Sequence, residues 1–164
     1  MNDGLGVSFR DLLAYNHAET ERWHKFFVQH PQALALDAGG QIGTVRNLIK
    51  HIFQTELYFA LRLTDQVLPK EKYEPNSDSI DDIFYLHERA HGMLAHFLSV
   101  ADEADLSRKH HFEFAGGFDA SSRKIVLQFF WHGINHWGQI AMLVRQAGMP
   151  TEGPRDIILS KALP

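Results

Sequence analysis

His132 and His136 stand four residues apart in the stretch Phe130-Trp131-His132-Gly133-Ile134-Asn135-His136-Trp137-Gly138-Gln139-Ile140. A helix turns about 100° per residue, so these two imidazoles lie about 40° apart, one turn above one another. Side chains placed this way can share one metal ion. Ile125, Phe129, His132, His136, Ile140 and Leu143 recur at spacings of three and four, which predicts that the pair faces a bundle core. A buried imidazole must find a partner, so two readings stand side by side: a metal site, or core histidines satisfied by hydrogen bonds. His87 and His91 form a second pair of the same spacing, inside the seam Ile80, Phe84, His87, His91, Leu94 and Leu98. Spacing alone does not separate the two pairs.

Two further groups belong to the same chemistry. His51 flanks the apolar stripe Val45, Leu48, Ile49, Ile52, Phe59 and Leu63, and Glu56 follows it by five residues. That is about 140° further round a helix, so Glu56 should point to a different neighbour from His51. Glu56 then forms either an interhelical ion pair, for which Arg145 is a candidate partner, or a carboxylate that orients a ligand histidine. His17 and His24 lie about two turns apart on the first helix and can share a face.

These residues need helices to hold them, and the sequence marks where the helices begin and end. Ser8 with Asp11 reads as a capping box opening a helix that ends near His30, before Pro31. Asp37-Ala38-Gly39-Gly40 breaks the chain, Thr44 caps a second helix, and Leu68-Pro69 closes it. A polar connection follows, long enough to cross one end of a bundle. Ser79 with Asp81 and Asp82 opens a third helix. The one strand signal is His110 to Phe114, a turn at Ala115-Gly116-Gly117, and a return through Phe118-Asp119-Ala120, with Phe112 and Phe114 expected against one end of the bundle. Ser121 or Ser122 caps a fourth helix that stops near Ala147, with Gly148 beyond it. The apolar Ile157-Ile158-Leu159 is expected to pack back on the bundle.

Composition narrows the chemistry. The 164 residues fit a single domain, 1–164, with an ordinary balance of 45% hydrophobic and 22% charged residues. A net charge of −4, with no long basic run, gives nucleic acid no footing. No apolar run reaches membrane-spanning length, and Met1 to Gly6 lacks the apolar core of a signal peptide, so a cytoplasmic protein is expected. There is no cysteine, which removes thiolate metal sites and a cysteine nucleophile. Any thiol chemistry needs a thiol supplied as cosubstrate. With 11 histidines, imidazole is the metal ligand that remains.

Four amphipathic helices, a hairpin before the last, His51 with Glu56, and His132 and His136 followed by Gly138-Gln139 together resemble the DinB superfamily, also described as DinB/YfiT-like metal-dependent hydrolases. The resemblance covers nearly the whole chain. It implies an all-α, up-down-down-up four-helix bundle with a small β-hairpin before the last helix. It also implies a divalent metal, nickel or zinc, held by His51, His132 and His136. Gln139 and Glu56 would support the ligands from behind, and His17, His87 and His91 would line the pocket or serve as hydrogen-bonded core residues. Asn135 and Trp137 depart from the pattern, since many members carry a histidine and a basic residue there. Characterised relatives include S-transferases that use bacillithiol and a mycothiol-dependent isomerase. The implied function is a metal-dependent enzyme activating a low-molecular-weight thiol or water toward a small-molecule substrate. The alternative is a non-catalytic, stress-related metal-binding dimer; a homodimer is expected in either case. No general base follows from the pattern; Glu56, His17 and His87 are candidates. The site is not an H-E-x-x-H metalloprotease, because Gly133 occupies the place of the glutamate.

Overall fold

The structure is a computed structural model that describes residues 8–66, 73–149, 151 and 157–163. Four long helices dominate it: α1 (Phe9–Gln29), α2 (Val45–Leu63), α3 (Ile80–Val100) and α5 (Ser122–Gln146), with the short α4 (Glu103–Ser107) between the last two. Each long helix starts where a side chain satisfies a free backbone N–H. Ser8 and Asp11 form a reciprocal capping box; Thr44, Ser79 and Ser121 accept from the backbone of Asn47, Asp82 and Lys124. Helix α5 is followed by Gly148 at φ +73°, a left-handed stop that glycine adopts without strain.

Contacts between helix ends fix the topology. Arg10 at the start of α1 donates to the Leu98 carbonyl at the end of α3, and His24 near the end of α1 meets Asp81 at the start of α3. These two helices are antiparallel. Lys50 in the first turns of α2 pairs with Asp78, just before α3, so α2 and α3 run parallel. His51 meets His132 and His136, while Phe59 and Ile125 share one cavity, which sets α5 antiparallel to α2. Arg123 over the Phe9 ring and Trp23 stacked on Trp137 make α1 and α5 parallel. The bundle is up-down-down-up, as expected. Parallel neighbours α2 and α3 require the connection between them to cross the length of the bundle.

The core is aromatic. Trp23, Phe27, Phe53 and Phe129 are almost fully buried, and Trp137 stacks on Trp23 with ring centroids 5.2 Å apart. The expected hairpin is present as β3 (Lys109–Phe112) and β4 (Phe118–Ser121), with His110 opposite Ala120 and Phe112 opposite Phe118. Phe112 is buried, its ring flanked by Tyr58 and Phe59 and covered by the Arg62 guanidinium. Phe114 is largely exposed but contacts the Phe112 and Phe118 rings.

Three expectations change. A second ribbon exists, β1 (Asp37–Gly39) with β2 (Gly43–Thr44), where only a chain break was read. Gly39, Gly40 and Gly43 all have positive φ, so the glycines that looked like a breaker shape a tight turn. Helix α2 ends at Leu63, with the Thr64 N–H bonded to the Ala60 carbonyl; Leu68-Pro69 lies outside the described residues. Ile157, Ile158 and Leu159 are exposed rather than packed on the bundle, and nothing in the structure explains their apolar character.

The two glycines of α5 differ in what they do. A Cβ on Gly133 would stand 3.4 Å from the Glu56 carboxylate, so Gly133 marks a close approach between helices. Gly138 is exposed with nothing within 4 Å, so there the glycine only weakens the helix. Gly138→Ala should therefore raise stability by about 0.5–1 kcal/mol. A urea midpoint that falls would contradict this account of the position.

Candidate metal centre

Helix α5 carries His132 and His136 one turn apart, and α2 brings His51 against them from the antiparallel side. One nitrogen from each of the three rings lies within 4.8 Å of the others. The Nε2 atoms of His132 and His51 face each other at 3.1 Å. Two imidazole nitrogens on a tetrahedral zinc are about 3.3 Å apart, given Zn–N bonds of about 2.0–2.1 Å. The rings are therefore already spaced to share a cation. Their planes are close to perpendicular, at 67° for His51–His132 and 77° for each pair involving His136, so three lone pairs can converge from different directions.

Tautomer and charge also fit a ligand set. The Nδ1–H of His136 donates to Gln139 Oε1 at 2.9 Å, which leaves the Nε2 lone pair free. Gln139 can do this because it sits three residues on, on the same side of α5. Burial, then the neighbouring His136 and His51, pushes the His132 pKa down to about 4. Burial and His136 also lower that of His51. Both rings are thereby held in the neutral form that binds metals.

The histidines do not lie at the centre of the core. The buried seam of α5 runs through Val126, Phe129, Phe130, Gly133, Trp137, Ile140 and Val144. His132 and His136 flank it, half-buried, in the groove against α2. Trp137 occupies the seam, and this accounts for the departure at that position: its ring packs against Trp23 and Phe53.

A cavity of about 380 Å³ opens beside the cluster, with His51 and His132 in its wall. Phe59, Phe112, Phe114 and Phe118 form its apolar side, and Thr55, Lys124 and Gln128 add polar groups. The hairpin thus supplies three of the four phenylalanines of that wall. Lys124, Gln128 and His132 are four residues apart in turn, a periodicity that could have placed all three on one helical face.

The remaining expected residues form a different group. Glu56 is fully buried, and its Oε2 accepts from His87 Nδ1 at 2.8 Å, so its partner is a histidine of α3 rather than Arg145. The structure does not bring Glu56 into hydrogen-bond contact with the three-histidine cluster. His17, His87 and His91 are absent from the wall of the 380 Å³ cavity; their rings contact one another between α1 and α3. His24 is tied to Asp81.

A family model described as the DinB family matches residues 1–157 of the chain. No curated protein matches it. Among the described residues, no helix is long and apolar enough to cross a membrane.

The neutral histidines predict a pH response. The folded pKa of His132, about 4, lies below the ordinary 6.5, and burial brings His91 to the same value. Between those limits the unfolded chain binds more protons than the folded one, so stability falls as pH falls. Metal-free protein should have a lower thermal midpoint at pH 5 than at pH 7.5, and His132→Asn should reduce the difference while leaving the share due to His91. A midpoint equally pH-dependent in that variant would refute the assignment of the effect to this ring.

Proposed function

The chain belongs to the DinB family, and on that footing we propose that it is a metal-dependent enzyme whose divalent ion, zinc or nickel, is held by His51, His132 and His136. The observation that carries this reading is the convergence of three imidazole nitrogens, two of them 3.1 Å apart, at the edge of an apolar cavity. Three neutral donors on a divalent ion leave positions open, as catalytic sites require. When bound, the ion would act as a Lewis acid and lower the pKa of a low-molecular-weight thiol or of water.

The chain's own residues do the rest. Gln139 holds the His136 ring in one tautomer and orientation. The Phe59, Phe112, Phe114 and Phe118 side chains form an apolar wall that excludes water from the bound electrophile and positions it beside the histidines. Lys124 supplies a positive charge at the same cavity, suited to an anionic group on either substrate. Thiol transfer is favoured over hydrolysis by this apolar wall, since a carbon electrophile gains from it and attacking water does not.

The test has two readouts on the same proteins. His51→Ala, His132→Ala and His136→Ala, each checked for folding, should purify with one equivalent of metal fewer than wild type, while His91→Ala matches wild type. Metal-loaded protein should accelerate addition of a small bacterial thiol to an electrophile, and chelator-stripped protein should not. Equal rates with and without metal across several thiols would remove the transferase reading. Ester hydrolysis assayed in parallel would then decide for or against water as the nucleophile.

The outer face of α5 supports the homodimer. Leu127, Trp131, Ile134 and Met142 fall on one stripe of the helix and are 47%, 64%, 45% and 48% exposed. A run of four large apolar side chains facing water on one helix suits a second copy of the same face. Light scattering at micromolar concentration should give a dimer, and Trp131→Glu a monomer. A monomeric wild type would exclude the pairing.

A further inference from the structure

We propose that His17, His87 and Glu88 form a second divalent-cation site, in the cleft between α1 and α3, with Glu56 buttressing it from inside the bundle. None of these residues belongs to the three-histidine cluster, so the two sites stand or fall separately.

The geometry comes first. One ligand atom from each of His17, His87 and Glu88 lies within 4.8 Å of the others, and His17 Nδ1 is 3.8 Å from Glu88 Oε1. The helices are antiparallel here, which sets the middle of α1 against the middle of α3. The His17 and Glu88 side chains are 39% and 47% exposed, so a cation can enter from solvent. The His87 side chain is fully buried and forms the floor.

The second observation is a set of buried polar atoms without partners. The His87 Nδ1–H donates to Glu56 Oε2 at 2.8 Å, which turns Nε2 and its lone pair the other way. That Nε2 is buried and meets no hydrogen-bond partner, and the same holds for Nδ1 of His17. An unsatisfied buried acceptor is costly, and a native fold rarely leaves two of them at one cleft without something to receive them.

A cation answers both observations. A carboxylate bonded to one nitrogen of a histidine whose other nitrogen faces a ligand position is the arrangement that supports metal-bound imidazoles. Two carboxylates, Glu56 and Glu88, supply a formal charge of −2 against one divalent ion. His91 lies beside the group, its ring centroid 4.6 Å from that of His17. Two imidazoles and a carboxylate suit zinc or cobalt and leave a position open.

The experiment is a titration of the chelator-stripped, full-length protein with Co²⁺, read by visible absorption and calorimetry. Wild type should bind two equivalents per chain. Glu88→Ala and His17→Ala change partly exposed side chains and should weaken one equivalent by more than about 100-fold, while Glu56→Gln should weaken it by about 10- to 100-fold. His51→Ala should lose the other equivalent and keep this one. If wild type binds one ion and His51→Ala none, the second site does not exist. Two equivalents that Glu88→Ala and His17→Ala leave unchanged would overturn it equally. A single equivalent that survives His51→Ala and disappears in Glu88→Ala would uphold this site and remove the three-histidine one.

Discussion

The contact on which the rest of the arrangement depends is the buried pair between Glu56 and His87. Both side chains are fully enclosed, and together they tie α2 to α3 in the middle of the bundle. A carboxylate taken out of water is costly, and removing one partner of such a pair typically destabilises a protein by about 3–5 kcal/mol. The pair helps set the register of the two parallel helices, together with Lys50 against Asp78 and Phe53 against Phe84. It also constrains α5. The second oxygen of Glu56 points toward Gly133, where a Cβ would stand 3.4 Å away. A Cβ there would just touch the carboxylate, and a bulkier side chain would press on it or force α5 outward, moving the adjacent His132 with it.

Features that depend on a few neighbouring residues were legible in the sequence. Ser8 with Asp11, Thr44 and Ser79 were readable as helix starts because a cap is a local hydrogen bond. The β3–β4 hairpin was readable because alternation and a glycine turn lie within a dozen residues. His51, His132 and His136 were singled out through the family resemblance, and the structure brings their rings together. Other features depend on how the helices sit against one another, and periodicity along one helix carries little of that. Arg145 was a reasonable partner for Glu56 on charge alone, yet the register of α2 and α3 puts His87 there instead. Spacing placed His132 and His136 on the core stripe, but it could not tell the centre of the seam from its edge. Trp137 takes the centre by stacking on Trp23, and the histidines are left at the boundary with α2, open to a cavity. The β1–β2 ribbon escaped notice because its strands are three and two residues long, shorter than any alternation can reveal.

Helix α2 also separates two polar centres with different chemistry. His51 and Glu56 are five residues apart, about 140° around the helix axis. One faces α5 and the half-open cluster of imidazoles; the other faces α3 and the closed pair with His87. On the first side His51 and His132 are kept neutral by burial and line a cavity, and Gln139 supports His136 from behind. On the second side a carboxylate stands directly behind the histidine and a second one lies at the rim. Carboxylate-backed imidazole is a stronger donor than imidazole backed by an amide, because the proton on its other nitrogen is drawn toward a charge. A cation on the α3 side would therefore be held more firmly by its buried ligand, and one on the α5 side would be more exposed to exchange and to substrate. An all-α scaffold without a cysteine can build both environments because a five-residue step turns two side chains of one rigid helix in nearly opposite directions.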